Sequence, residues 1–170
     1  MRGRSALDTL FEYKAWANHE ILAATRLFDQ ASQAAARNVA IRKLNHTYVV
    51  DQIFAAHLKG TRHGYAATNT TDTPTLDALT AAISASDQWY VAYVSKLEPA
   101  QLGEFIDFAC TDGARGRMSR EEMLMHILLH GEYHRGQVGR IMEEHAIAPP
   151  RPFTSFLQSP EFSTRRRAVI

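Results

Sequence analysis

Apolar residues return at helical spacing in four long stretches of the chain. From Ser5 to about Phe28, the residues Leu7, Leu10, Phe11, Ala17, Ile21, Leu22 and Leu27 recur about every 3.6 positions, which predicts a first helix. A second run from about Asn38 to Lys59 carries Ile41, Leu44, Tyr48, Val49, Ile53, Phe54 and Leu58, and Gly60 stands where such a helix would stop. The polar segment GTRHGYAATNTTDTP that follows reads as a loop. Pro74 then precedes TLDALTAAISASDQWYVAYVSKL, a third helix with proline near its first turn, ending before Pro99. Ser119 and Glu122 form an S-x-x-E capping box that opens a fourth helix, expected to run to about His145.

Between the third and fourth helices, β-forming residues flank Asp112-Gly113, a hairpin turn signal. The prolines of APPRPF forbid continuation of the last helix, so the final residues are expected as an extended tail. Helices of roughly 20 to 27 residues reach or exceed about 30 Å. The predicted fold class is therefore all-α: an up-down four-helix bundle with a small β-hairpin inserted before the last helix. Residues 1–150 would form the bundle domain and 151–170 the C-terminal tail.

A length of 170 residues suits one domain with a core of its own. The formal charge of +1 comes from interspersed signs, and Arg165 to Arg167 is the one like-charge run. No footprint for nucleic acid or an anionic membrane is visible. There is no apolar run long enough for a bilayer, and no cleavable signal pattern. A single cysteine, Cys110, cannot form an internal disulfide. These features predict a cytoplasmic protein that acts on a small molecule.

The fourth helix carries the candidate chemistry. In MHILLHGEYHRGQVGRIMEEH the stripe Met123, Ile127, His130, His134, Gln137 and Ile141 is the face that should be buried, and it contains two imidazoles. His130 and His134 differ by about 40° in azimuth and about 6 Å in rise, so both reach one ion. The spelling HGEYH is not the zinc-protease H-E-x-x-H: Glu132 lies about 180° from the midpoint of the two histidines and should point away. The chain contains no E-x-x-H, which excludes a ferritin-like di-iron site. A third ligand must come from another helix. His46 and His57 share nearly one azimuth but stand about 16 Å apart along the second helix, and spacing alone does not choose between them.

The segments YKAWAN, LNHTYVVDQIFAAHLKG and HGEYHRGQ occur in that order between Leu10 and about Met142. Together they resemble the DinB/YfiT-like family of metal-dependent four-helix-bundle proteins. The resemblance implies a three-histidine divalent metal site. Its first ligand would be the histidine about five residues ahead of an acidic one, here His46 before Asp51. The other two would be the histidines of H-x-x-x-H followed by R-G-Q, here His130 and His134. His57 falls where the family usually has another residue. The resemblance further implies a homodimer and a metal-dependent hydrolase or a transferase or isomerase that uses a low-molecular-weight thiol as cosubstrate, and imidazole ligands suit zinc or nickel as the ion. The alternative is a non-catalytic metal-binding stress-response protein with a structural ion.

Other notable residues receive plainer readings. His126 lies about 12 Å from His134 along the axis and is expected as a satisfied neighbour or pocket wall. Gly136 would serve close packing, at about 1 kcal/mol relative to alanine. Gln137 would line the pocket or pack as a hydrogen-bonding core residue. Arg135 would be exposed or salt-bridged, Asp51 would form an inter-helix ion pair, and Asn18 would cap or bridge loops. Tyr13 and Trp16 would belong to the core. Cys110 has no paired base in the sequence and is not expected to act as a nucleophile.

Overall fold

The computed structural model describes residues 5–163, and these are mostly helical with one two-stranded antiparallel sheet. Helix α1 spans Ala6–Thr25, α2 Ala34–Lys59, α3 Leu76–Val94 and the short α4 Pro99–Leu102. Strands β1, Phe105–Ala109, and β2, Arg115–Ser119, follow, then α5, Arg120–Glu144. Two short helices, α6 at Phe153–Gln158 and α7 at Pro160–Ser163, complete the described chain. None of these helices is long and apolar enough to cross a membrane.

Local chemistry fixes the ends. Ser5 and Asp8 form a reciprocal capping box at α1, and Ser119 with Glu122 does the same at α5, as the sequence predicts. Gly60 closes α2 in the left-handed region at φ 69°, where glycine carries no steric penalty. The hairpin pairs Phe105 with Ser119 through Ala109 with Arg115, and its turn uses Gly113 at φ 86°. The expectation of an extended tail fails over Phe153–Ser163. There Phe156 buries itself against Tyr13 and Trp16, with ring centroids 5.7 Å from each, and this apolar anchor draws the chain into short helices after the prolines. Arg165 to Arg167 lie outside the described residues.

Helix α1 packs on α3 and α5, and α2 packs on α5 and α3, while α1 and α2 share little direct contact. Along α1, Phe11 meets Tyr90, Lys14 meets Asp87 and Arg26 meets Asp77, so α1 and α3 run in opposite directions. Lys43 reaches Gln137 and Phe54 stacks on His126, so α2 and α5 are opposed as well. The apolar core falls into two clusters. One gathers Ile21, Leu44, Leu79, Val138 and Met142; the other gathers Phe11, Leu58, Tyr90, Met123 and Ile127. On every long helix the residues between the clusters include a buried polar group: Lys14 and Asn18, Asp51, Asp87 and Arg135.

In that layer Lys14 Nζ lies 2.7 Å from Asp51 Oδ2 and 2.5 Å from Asp87 Oδ1. Asn18 Nδ2 donates to Asp87 Oδ2 at 2.9 Å, and Arg135 donates to Asn18 Oδ1 at 2.9 Å. Burial pulls the Lys14 pKa down, but the carboxylates of Asp51 and Asp87 more than offset it, so the ammonium remains charged with a raised pKa. Burial also raises the Asp51 pKa, against the pull of Lys14.

Candidate metal centre

The histidines of α5 meet α2 at the level of this polar layer. His46, His130 and His134 each offer a ring nitrogen, and the three atoms lie within 4.8 Å of one another. Ring centroids are separated by 5.0 Å for His46 and His130, 4.7 Å for His46 and His134, and 4.5 Å for His130 and His134. The structure therefore brings together the three residues that the sequence resemblance selected, and all three are half-buried.

The outer contacts fix which nitrogen faces the centre. His46 Nδ1 is 2.7 Å from the Thr68 carbonyl oxygen. A carbonyl only accepts, so Nδ1 carries the proton and Nε2 presents a lone pair. His134 Nδ1 is 3.1 Å from Gln137 Oε1, which also accepts from Lys43 Nζ at 2.8 Å. Lysine only donates, which identifies that atom as the amide oxygen and again leaves Nε2 with a lone pair. Such partners orient metal-binding imidazoles and raise their basicity. His130 Nε2 lies 3.1 Å from His46 Nε2, while its Nδ1 is buried without a hydrogen-bond partner.

Electrostatics act in the same sense. Burial, then the neighbouring rings of His134, His46 and His126, push the His130 pKa down to about 3. Burial, then His46, lowers that of His134, with Lys43 adding to the effect. Neutral imidazoles are the form a divalent cation requires. Three nitrogen donors without a carboxylate suit zinc or nickel. The residues present could hold such an ion.

Residues around the centre largely take the plainer roles. Glu132 points away, pairing with Arg135 at 2.7 Å and accepting from the Tyr13 hydroxyl at 3.4 Å. His126 stacks between His130 and Phe54, at centroid distances of 5.4 and 4.7 Å, and stands outside the ligating group. His57 packs instead against Phe54, His63 and Phe108. Asp51 forms the expected inter-helix ion pair, with Lys14. Asn18 neither caps nor bridges loops; it links Asp87 to Arg135 inside the core.

Gly136 also departs from expectation. A β-carbon there would meet nothing within 4 Å, whereas one at Gly131 would press on the Arg135 guanidinium at 3.1 Å. Close packing does not explain Gly136, and Gly136→Ala is expected to stabilise the protein by about 0.5–1 kcal/mol through helix propensity. A denaturant midpoint unchanged or lowered in that variant would contradict this.

Sequence reasoning missed Lys14, Lys43 and Thr68. Lys14 was detectable: Leu7, Phe11, Lys14, Asn18 and Ile21 form one buried stripe of α1, and a lysine on such a stripe needs buried counter-charges. Thr68 carried no signal, because it contributes only its backbone.

A mostly helical protein with three convergent imidazoles between two of its long helices is thus defined. Residues 3–158 match the model of the DinB family, nearly the whole chain, and the protein belongs to that family. No curated protein and no solved structure was found to match it.

Proposed function

We propose that this DinB-family protein binds one divalent ion, zinc or nickel, through His46, His130 and His134, and presents the ion's open position to a small-molecule substrate. The observation that carries this reading is the size of the group. Among the described residues it has three members, and an ion that takes four or more ligands keeps a place for an exchangeable one. A bound ion would supply Lewis acidity, lowering the pKa of water or of a thiol. The protein's own contribution is to orient His46 through Thr68 and His134 through Gln137 and Lys43, with His130 placed by its position on α5.

The reaction classes this supports are hydrolysis, or transfer or isomerisation with a low-molecular-weight thiol as cosubstrate. Adding a thiol or small anion to the cobalt-substituted protein at neutral pH should change its visible spectrum. A spectrum indifferent to all of them would favour the second reading, a structural ion that clasps α2 to α5. That reading draws on the fact that the ligands come from two opposed helices.

We read the four long helices as a bundle in which α1 runs with α5 and α2 with α3, rather than in strict alternation, on the strength of the paired contacts above. We also read the protein as a cytoplasmic homodimer. Leu129 and Tyr133, 65% and 66% exposed one turn apart on α5, offer an apolar face for a second copy. Sedimentation should give twice the chain mass at micromolar concentration; a monomer throughout would count against the dimer.

A further inference from the structure

The charged side chain that the structure sets beside the candidate metal centre is a lysine. Lys43 and His46 stand one turn apart on α2, as His134 and Gln137 do on α5, and the two pairs meet where Lys43 Nζ donates to Gln137 Oε1 at 2.8 Å. An ammonium has three N–H donors. Gln137 takes one of them, and among the described residues no carboxylate lies within ion-pair reach of the half-buried Lys43.

The partner on α5 matters here. Metal-binding imidazoles commonly donate their outer N–H to a carboxylate, and a glutamate at position 137 would do so while cancelling the lysine. The chain places an amide there, and the Thr68 peptide carbonyl behind His46. Glu132, on the same helix, is turned to Arg135 and Tyr13, and Asp51 is engaged by Lys14. After burial, the groups that lower the His134 pKa are His46 and Lys43, and those that lower the His130 pKa are imidazoles, with no carboxylate acting against them. A divalent ion held by three neutral donors beside an ammonium leaves net positive charge in a half-buried place, where solvent screens it less than at an open surface.

We propose that Lys43 makes this centre selective for anions: the small molecule it takes carries a carboxylate, which accepts from the remaining donors of Lys43. The inference rests on the reading that the centre holds an ion with an open position. A carboxylate matches a single lysine better than a phosphate does. Phosphates are ordinarily gripped by arginine forks or several donors, and among the described residues no arginine contacts the three histidines or Gln137.

The test compares mercaptoacetate with its neutral amide, mercaptoacetamide, titrated into the cobalt-substituted protein at low ionic strength and followed by the visible spectrum. The wild type should bind the acid more tightly. Lys43→Gln should weaken the acid about tenfold, the scale of one charge-assisted hydrogen bond, and change the amide by less than about twofold. Lys43→Arg should keep the preference, and all three proteins should hold equal cobalt. Equal affinity of the wild type for acid and amide would overturn the proposal, as would a preference that survives undiminished in Lys43→Gln. Loss of both ligands together in that variant would also overturn it, leaving Lys43 a positioning residue for Gln137 and His134. A wild-type spectrum that answers to neither ligand is a separate outcome, which sinks the open position itself and this inference with it.

Discussion

Replacing His134 with alanine should reduce bound metal from about one ion per chain to less than a tenth of that after dialysis. Three imidazoles are the whole convergent group among the described residues, so removing one leaves two donors and more water around the ion. The remaining pair, His46 and His130, would keep Nε2 atoms 3.1 Å apart, too few to compete with solvent and buffer. His46→Ala should weaken binding in the same way. His57→Ala should leave this centre nearly unchanged, because His57 belongs to another part of α2 about 16 Å away. Elemental analysis of the four proteins decides the matter: full occupancy in His134→Ala, or loss at this centre in His57→Ala with retention in His46→Ala, would move the ion elsewhere. An ion that binds only the folded chain stabilises it, so the metal-free protein should also unfold earlier, by about 2.7 kcal/mol where free metal stands at a hundred times its dissociation constant.

Lys14→Ala is expected to be the most destabilising single change, at about 3–5 kcal/mol. The ammonium is 1% exposed and faces two carboxylates that are 4% exposed, so its removal leaves buried negative charge without a partner. Replacing Lys14, Asp51 and Asp87 together by apolar residues of similar volume should recover most of that loss, since a complete buried ion cluster is often no better than well-packed hydrocarbon. The recovery will be incomplete because Asn18 then loses its acceptor at 2.9 Å. Urea denaturation of the single and triple variants gives both numbers. A Lys14→Ala protein within 1 kcal/mol of the wild type would show that the cluster contributes little.

Most of the helical layout could be read from the sequence because its signals are local and redundant. The capping box at Ser119, the glycine at position 60 and the apolar periodicity each specify a boundary independently. Part of the histidine cluster was legible for a different reason: the spacing of His130 and His134 is a within-helix property. Choosing His46 over His57 was not, since both lie on nearly one azimuth of α2, and only the resemblance or the packing of α2 on α5 could decide. The polar layer was half legible. Asp51 could be assigned an ion pair, but its partner Lys14 lay 37 residues earlier in the chain. Helix α6 was hidden because its anchor, Phe156, gains its burial from Tyr13 and Trp16 in α1. Such long-range contacts leave no periodic trace.

The loop between α2 and α3 has a consequence for how this site tolerates change. Asn45 donates to Asn69 Oδ1 and Thr70 Oγ1 at 2.5 and 2.6 Å, Arg42 reaches the Thr70 carbonyl at 2.6 Å, and the backbone thus held delivers the Thr68 oxygen to His46. An imidazole whose tautomer is chosen by a peptide carbonyl is indifferent to the side chain attached there. Thr68 can drift to almost any residue without altering the proton on His46. Spacing to these anchors is another matter: one residue inserted between Thr68 and Asn69 would shift which peptide arrives, and the imidazole would lose the group that sets its orientation. What the contact requires at this position is therefore spacing rather than spelling.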